Sequence, residues 1–163
     1  MLVHRLLAVP MLLAGLVAAA APEPPRVAGF SAFLLNSRTG QLSADVMANA
    51  DQLGNVPAGP LSAVSALVVV RIAFGAEAAV PEGARVHLVA TEASVRGRAA
   101  RVLLDRSARL GPVAQDGTTH VGFWLDDIGC ATITLRARLA SGTTKASNAA
   151  ARGQAELPFT CYE

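Results

Sequence analysis

Short strand-like segments follow one another along this chain, and no long stretch shows the period of an amphipathic helix. The clearest is 131–140 (ATITLRARLA), in which apolar residues alternate with Thr and Arg. A period of two places one set of side chains on a buried sheet face and the other on a wet face. The segment 63–74 (AVSALVVVRIAF) is apolar on both faces, which is typical of a central strand. Both patterns favour an all-β fold.

Turn signals separate the other predicted strands. A five-residue turn ending at Gly40 lies between 27–35 and 41–47, which predicts a β-hairpin. Asp116-Gly117 is a tight-turn signal before the strand 118–125. The remaining predicted strands are 85–91 and 155–161, the segment 98–105 fits a strand and a helical turn about equally, and the predicted loops are 48–60 and 141–152.

About seven or eight such strands predict a two-sheet antiparallel β-sandwich of general immunoglobulin-like architecture. We expect one domain over 27–163, preceded by a Pro-rich arm at 21–26. If the last two strands form a hairpin, matching their inward residues places Ile133 opposite Phe159. The predicted core is Val68, Val70, Ile72, Phe74, Phe123, Ile133, Leu135, Leu157 and Phe159.

Residues 1–20 have the pattern of a secretory signal peptide. A single charge at Arg5 precedes the apolar run 6–20, which ends in a row of alanines. The apolar run is short for a membrane span, and no later segment resembles one, so we expect a protein that is not membrane-spanning. The sequence therefore predicts a periplasmic or secreted protein.

Cys130 and Cys161 are the only two cysteines. An even pair in an exported chain predicts one disulfide, worth roughly 3–4 kcal/mol by loop entropy. In the hairpin register above, Cys130 and Cys161 are offset by one residue, which a bulge at Cys130 or placement of the two strands on opposite sheets would resolve.

The charge balance argues against nucleic acid as a partner. Without Arg5 the chain has 13 basic and 12 acidic residues, and a net charge near +1 does not hold a polyanion at physiological salt. Five arginines nevertheless cluster in sequence, and they predict either a solvated edge or a patch for an anionic envelope component or protein. They are Arg96, Arg98, Arg101, Arg106 and Arg109.

The chain contains few groups suited to catalysis. His87 is interpreted as an ordinary strand histidine, whereas His120 precedes Trp124, Asp126 and Asp127 and could form a pocket or metal site with them. A polar turn that ends the strand is the simpler explanation of the two aspartates. No nucleophile elbow, phosphate loop or zinc spacing occurs, so no cofactor, metal ligand or catalytic residue is predicted.

Three functions remain as hypotheses. The first is a non-catalytic binding or structural module of the bacterial cell envelope, which recognises a protein or surface component through its loops at 48–60, 96–109 and 141–152. The second is a periplasmic small-molecule or metal carrier that uses His120 and its neighbours. The third is a small hydrolase with a dispersed site, which requires a histidine within hydrogen-bond reach of a carboxylate and a hydroxyl.

Overall fold

A computed structural model describes residues 24–49, 53–55, 62–75, 80–95, 97–140 and 151–160 of the chain. These residues form ten strands and one short 3-10 helix at Val46–Asn49. In chain order the strands are β1 (Arg26–Asn36), β2 (Gln41–Leu42), β3 (Leu53–Gly54), β4 (Ala66–Ala73), β5 (Arg85–Glu92), β6 (Arg101–Arg109), β7 (Thr118–Leu125), β8 (Ile133–Ala140), β9 (Arg152–Leu157) and β10 (Phe159–Thr160). Seven of them have six or more residues, as the strand count predicted.

Two four-stranded antiparallel sheets make up the sandwich. The first has the order β2-β1-β4-β7 and the second the order β6-β5-β8-β9. The apolar strand β4 has partners on both sides, as predicted, and the hairpin β1–β2 closes at Asn36 and Gln41. The short strands β3 and β10 pair in parallel and form a small third sheet. The all-β sandwich prediction is thus confirmed.

The core lies between the two sheets and contains one face of each strand. In β8 the residues Ile133, Leu135, Ala137 and Leu139 are buried, while the side chains between them face outward. All nine predicted core residues are buried, with at most 9 % of the surface of any of them exposed. Period-two alternation therefore identified the inward faces correctly.

Side chains of the segment that follows β2 accept hydrogen bonds from backbone N–H groups on the free edge of β1. The Asp45 carboxylate accepts hydrogen bonds from the backbone N–H groups of Ala32 and Met47, both at 3.0 Å, and Ser43 Oγ accepts one from Leu34 N–H. Partial burial alone would raise the pKa of Asp45, but hydrogen bonds from Ala32, Ser31 and Met47 outweigh it and the pKa is lowered. Asp45 thus serves both β1 and the start of the 3-10 helix.

The ambiguous segment 98–105 is largely strand. Strand β6 pairs with β5 along its whole length, with an irregularity between Ala90 and Thr91. Because β6 is an edge strand with no fully buried residue, neither of its faces carries a clean apolar pattern. It follows that 101–109 is a strand, so the loop conformation expected for 96–109 is wrong there, while its role in recognition stays a prediction.

The C-terminal register also differs from the prediction. Ile133 lies opposite Leu157 and Leu135 opposite Ala155, a shift of two residues. Phe159 does not pair with β8, because the chain leaves the sheet at Pro158 and Phe159 pairs with Leu53 of β3. Proline has no N–H to donate to a strand ladder, which accounts for the break.

Several predictions fall on residues outside those described, including the signal peptide at 1–20 and most of the loop 141–152. Cys130 is not a free thiol, but Cys161 lies outside the described residues, so the disulfide stays a prediction. In the part of the chain that the structure describes, no helix has the length and apolar character needed to cross a bilayer.

Candidate functional site: an arginine-lined groove

The outward face of the sheet β6-β5-β8-β9 is polar and rich in arginine. Since Val86 and Leu88 are buried, the residues between and beside them point outward. Strand register aligns Ser107, His87, Arg138 and Arg152 in one row across the four strands. The next row places Arg136 beside Gln154, and the row on the other side places Arg85 beside Arg109.

An open groove of about 790 Å³ lies over this face. Its lining comes from β5, β8 and β9, three adjacent strands of one sheet. The lining residues are His87, Val89, Arg136, Ala137, Arg138, Arg152, Gly153 and Gln154. We call this feature the arginine groove.

Two hydrogen bonds connect Arg138 to Asp105 through His87. Arg138 Nε lies 3.0 Å from His87 Nδ1, and His87 Nε2 lies 2.5 Å from an Asp105 carboxylate oxygen. Because a guanidinium can only donate, Nδ1 must accept, and the imidazole proton is therefore on Nε2, which donates to Asp105. Both ring nitrogens of His87 are therefore occupied.

This arrangement bears on the hydrolase hypothesis. His87 has the carboxylate that a general base needs, but its other nitrogen accepts from Arg138. Among the described residues no hydroxyl hydrogen-bonds to His87. The described contacts of His87 orient an arginine, and Ser107, its register partner on β6, makes no described hydrogen bond to it.

A second arginine of the groove is anchored in the same way. Arg136 Nε donates to Gln154 Oε1 at 3.3 Å. In both Arg136 and Arg138 the bond uses Nε, so the Nη1 and Nη2 groups, the edge that binds oxyanions in pairs, are left for a ligand. The anchoring bonds also remove part of the side-chain freedom that binding would otherwise cost.

Positive charge in the groove has no direct ion-pair partner, although Asp105 lies behind Arg138 through His87. Arg138 and Arg152 are directly opposite each other on β8 and β9, a like-charge arrangement that is unfavourable on its own. Within the described ranges, no carboxylate lies within ion-pair distance of Arg136, Arg138 or Arg152. An anion bound between these guanidiniums would relieve the repulsion.

The described members of the predicted cluster Arg96 to Arg109 lie in different settings. Arg96 lies outside the described residues, Arg98 is exposed in a tight turn that begins at Val95, and Arg106 is exposed on β6. Arg109 lies opposite Arg85 at the end of β6.

Arg101, by contrast, is held by two carboxylates. It donates through Nε to Glu92 and through Nη1 to Asp127, both at 2.5 Å, and through Nη2 to the Asp127 carbonyl oxygen. Hydrogen bonds to Glu92 and then to Asp127 raise the pKa of the Arg101 guanidinium. We call these three residues the Arg101 cluster. It is a structural contact between β5, β6 and the β7–β8 connection.

The predicted pocket around His120 is only partly assembled. Trp124 Nε1 donates to Asp126 at 2.7 Å, and Ser65 Oγ donates to the same carboxylate oxygen at 3.0 Å. Asp127, however, faces Arg101, and His120 lies opposite Arg71 on the outer face of the other sheet. In the described part of the chain, no three His, Cys, Asp or Glu side chains are placed to hold a metal ion.

Asp116, in the turn before β7, is held mainly by Thr118. The Thr118 hydroxyl and backbone N–H donate to Asp116, and these bonds, with a smaller contribution from His120, lower the pKa of its carboxyl.

Sequence reasoning missed the arginine groove. Alternation correctly placed Arg136 and Arg138 on the wet face of their strand, and His87 on the same face as Arg85. The pairing of β8 with both β5 and β9 brings these residues together with Arg152, and alternation within each strand carries no information on strand order.

A comparison of the chain with models of known protein families, and with curated proteins, finds no match.

Proposed function

We propose that this protein is an exported, non-catalytic binding module of the bacterial cell envelope, and that its arginine groove contacts an anionic envelope component. The observation that carries the proposal is the set Arg136, Arg138 and Arg152, three guanidiniums on adjacent strands with no carboxylate partner among the described residues. Two of the three are anchored through Nε, as a prepared binding surface requires.

The compartment supports this choice of partner. The signal-peptide pattern at 1–20 and the cysteine pair both favour an extracytoplasmic protein, where phosphorylated and acidic glycans are abundant anions. A net charge near +1 for the exported chain means that attraction must be local to the groove. We therefore expect binding to depend on a few named arginines.

The groove adds a sheet face to the expected recognition loops at 48–60 and 141–152, which stay a prediction. The groove is wide and open, and its walls are strand side chains on a rigid two-sheet scaffold. Such a surface suits part of a large exposed molecule better than a small molecule that needs enclosure.

A matched pair of triple variants tests the proposal. The groove variant is Arg136→Ala, Arg138→Ala and Arg152→Ala; the control variant is Arg38→Ala, Arg98→Ala and Arg106→Ala, three exposed arginines elsewhere. Both have the same net charge. We expect wild type and control to bind heparin, a soluble polyanion, and to elute at similar salt, whereas the groove variant elutes much earlier.

Equal loss in the two variants would mean that net charge, and not the groove, determines binding. If wild-type protein does not bind heparin at low salt, the proposal of an anion-binding groove is wrong. Circular dichroism and urea midpoints of the variants check that each one is folded.

A further inference from the structure

We propose that the arginine groove recognises a phosphate monoester, which binds between the Nη1 and Nη2 groups of Arg138 and those of Arg152. The inference rests on the proposed function and specifies its ligand. It follows from the register of β8 and β9, the bond between Arg138 and His87, and the local balance of charge.

The register brings two guanidiniums to one ligand-sized space. Arg138 and Arg152 are directly opposite cross-strand partners, so their Cβ atoms are about 4.5–5.5 Å apart. Side chains of this length can therefore close on a single tetrahedral group from two sides. Arg136, about 6.6–6.8 Å along β8 from Arg138, can reach a further oxygen of the same ligand.

The hydrogen bond to His87 determines which atoms of Arg138 are available. Its Nε is held at 3.0 Å by His87 Nδ1, so the Nη1 and Nη2 edge remains for two parallel hydrogen bonds to phosphate oxygens. Asp105 accepts from the other ring nitrogen and thereby fixes the tautomer that this contact needs. His87 is thus a positioning residue, with no direct contact to the ligand.

Charge favours a phosphate monoester over a carboxylate. A phosphate monoester carries about −1.5 to −2 charges at pH 7 and three terminal acceptor oxygens. A carboxylate has one charge and two oxygens, too few to compensate two opposed guanidiniums and Arg136 together. A mismatch of this kind leaves N–H groups without partners and weakens binding.

Isothermal titration with two small probes tests the inference on the full exported chain. Glucose 6-phosphate supplies the monoester, and glucuronate supplies a carboxylate on a similar ring. We expect glucose 6-phosphate to bind at least tenfold more tightly than glucuronate. Arg138→Ala and Arg152→Ala should each weaken its binding tenfold or more, and Arg106→Ala should leave it unchanged.

Two further pairs of variants examine the anchoring. Arg138→Lys keeps the charge but loses the paired Nη1 and Nη2 donors. We expect it to weaken binding of glucose 6-phosphate nearly as much as Arg138→Ala does. His87→Ala should weaken binding severalfold, whereas His87→Asn, which keeps an acceptor near the Nδ1 position, should restore most of it. Unchanged binding in His87→Ala would overturn the positioning role.

The outcomes separate this inference from the proposed function. One outcome is that heparin binds through the three arginines while glucose 6-phosphate, even at millimolar concentration, does not bind. In that case the monoester inference fails and the proposed binding module stands. Equal affinity for glucuronate overturns it as well. Failure of both heparin and glucose 6-phosphate to bind overturns both proposals.

Discussion

Replacing Arg101 with alanine tests the contribution of the Arg101 cluster to stability. The Glu92 side chain is only 5 % exposed, and Arg101 donates to one of its oxygens. The other oxygen, Oε1, is buried without a hydrogen-bond partner among the described groups. In Arg101→Ala the carboxylate loses its guanidinium while its surroundings remain closed to water on most sides.

The magnitude follows from the burial of the two partners. Removing one member of a buried ion pair typically costs 3–5 kcal/mol, and a hydrogen bond to a charged group contributes about 1.5–3 kcal/mol. The Arg101 side chain is 32 % exposed, so water can reach part of the vacated space. The cost therefore falls toward the range for a single hydrogen bond to a charged group. The contact with Asp127, a side chain 84 % exposed, adds at most about 0.5 kcal/mol. We expect a loss of roughly 2–3 kcal/mol.

Urea unfolding followed by circular dichroism measures this loss, and it should also appear as a fall in Tm of roughly 6–10 °C. Arg106→Ala, on the same strand but exposed and without an ion pair among the described residues, should change stability by less than about 0.5 kcal/mol. Adding Glu92→Gln to Arg101→Ala should recover part of the loss, because the buried charge is gone. A loss below about 0.5 kcal/mol in Arg101→Ala would refute the assignment of Glu92 as a buried charge that depends on Arg101.

Thiol titration of the native, unreduced protein should find no reactive group, and Cys161→Ser should lower Tm by several degrees; two reactive thiols would show that the disulfide is absent. Because the folded-state pKa of Asp45 is lowered, its stabilisation is present above about pH 4 and is lost as pH falls below that value. Asp45→Ala should thus be less stable than wild type at pH 7, with a difference that shrinks toward pH 2; a constant difference would exclude this linkage. Leu135→Ala removes a fully buried side chain and should cost roughly 2–4 kcal/mol in urea unfolding, and a cost below about 1 kcal/mol would contradict its place in the core.

Much of the fold could be predicted because its long strands bury one face each. The strand bounds 118–125 were predicted to the residue, and β4 was correctly predicted as a central strand. Prediction failed where pairing, and not burial, determines the conformation. Strand β6 is exposed at the sheet edge and so lacks an alternating pattern, and the pairing of Phe159 with β3 depends on a segment predicted to be a loop.

The candidate site was harder to predict for a related reason. The outward direction of Arg136 and Arg138 followed from alternation, but their neighbours His87 and Arg152 come from strands whose order the sequence pattern does not specify. Linear clustering of arginines pointed to 96–109. In that segment Arg101 forms ion pairs with Glu92 and Asp127, and the other described arginines do not line one groove.

The strict alternation of β8 has a consequence for how this protein can diversify. Its inward residues maintain the sandwich, whereas Arg136 and Arg138, on the opposite face, contribute little to the core. Substitutions at the outward positions can therefore change the chemistry of the exposed face while folding is preserved. The apolar half of this strand can stay constant while its arginines are exchanged for other polar residues, so that one scaffold accommodates surfaces of different charge.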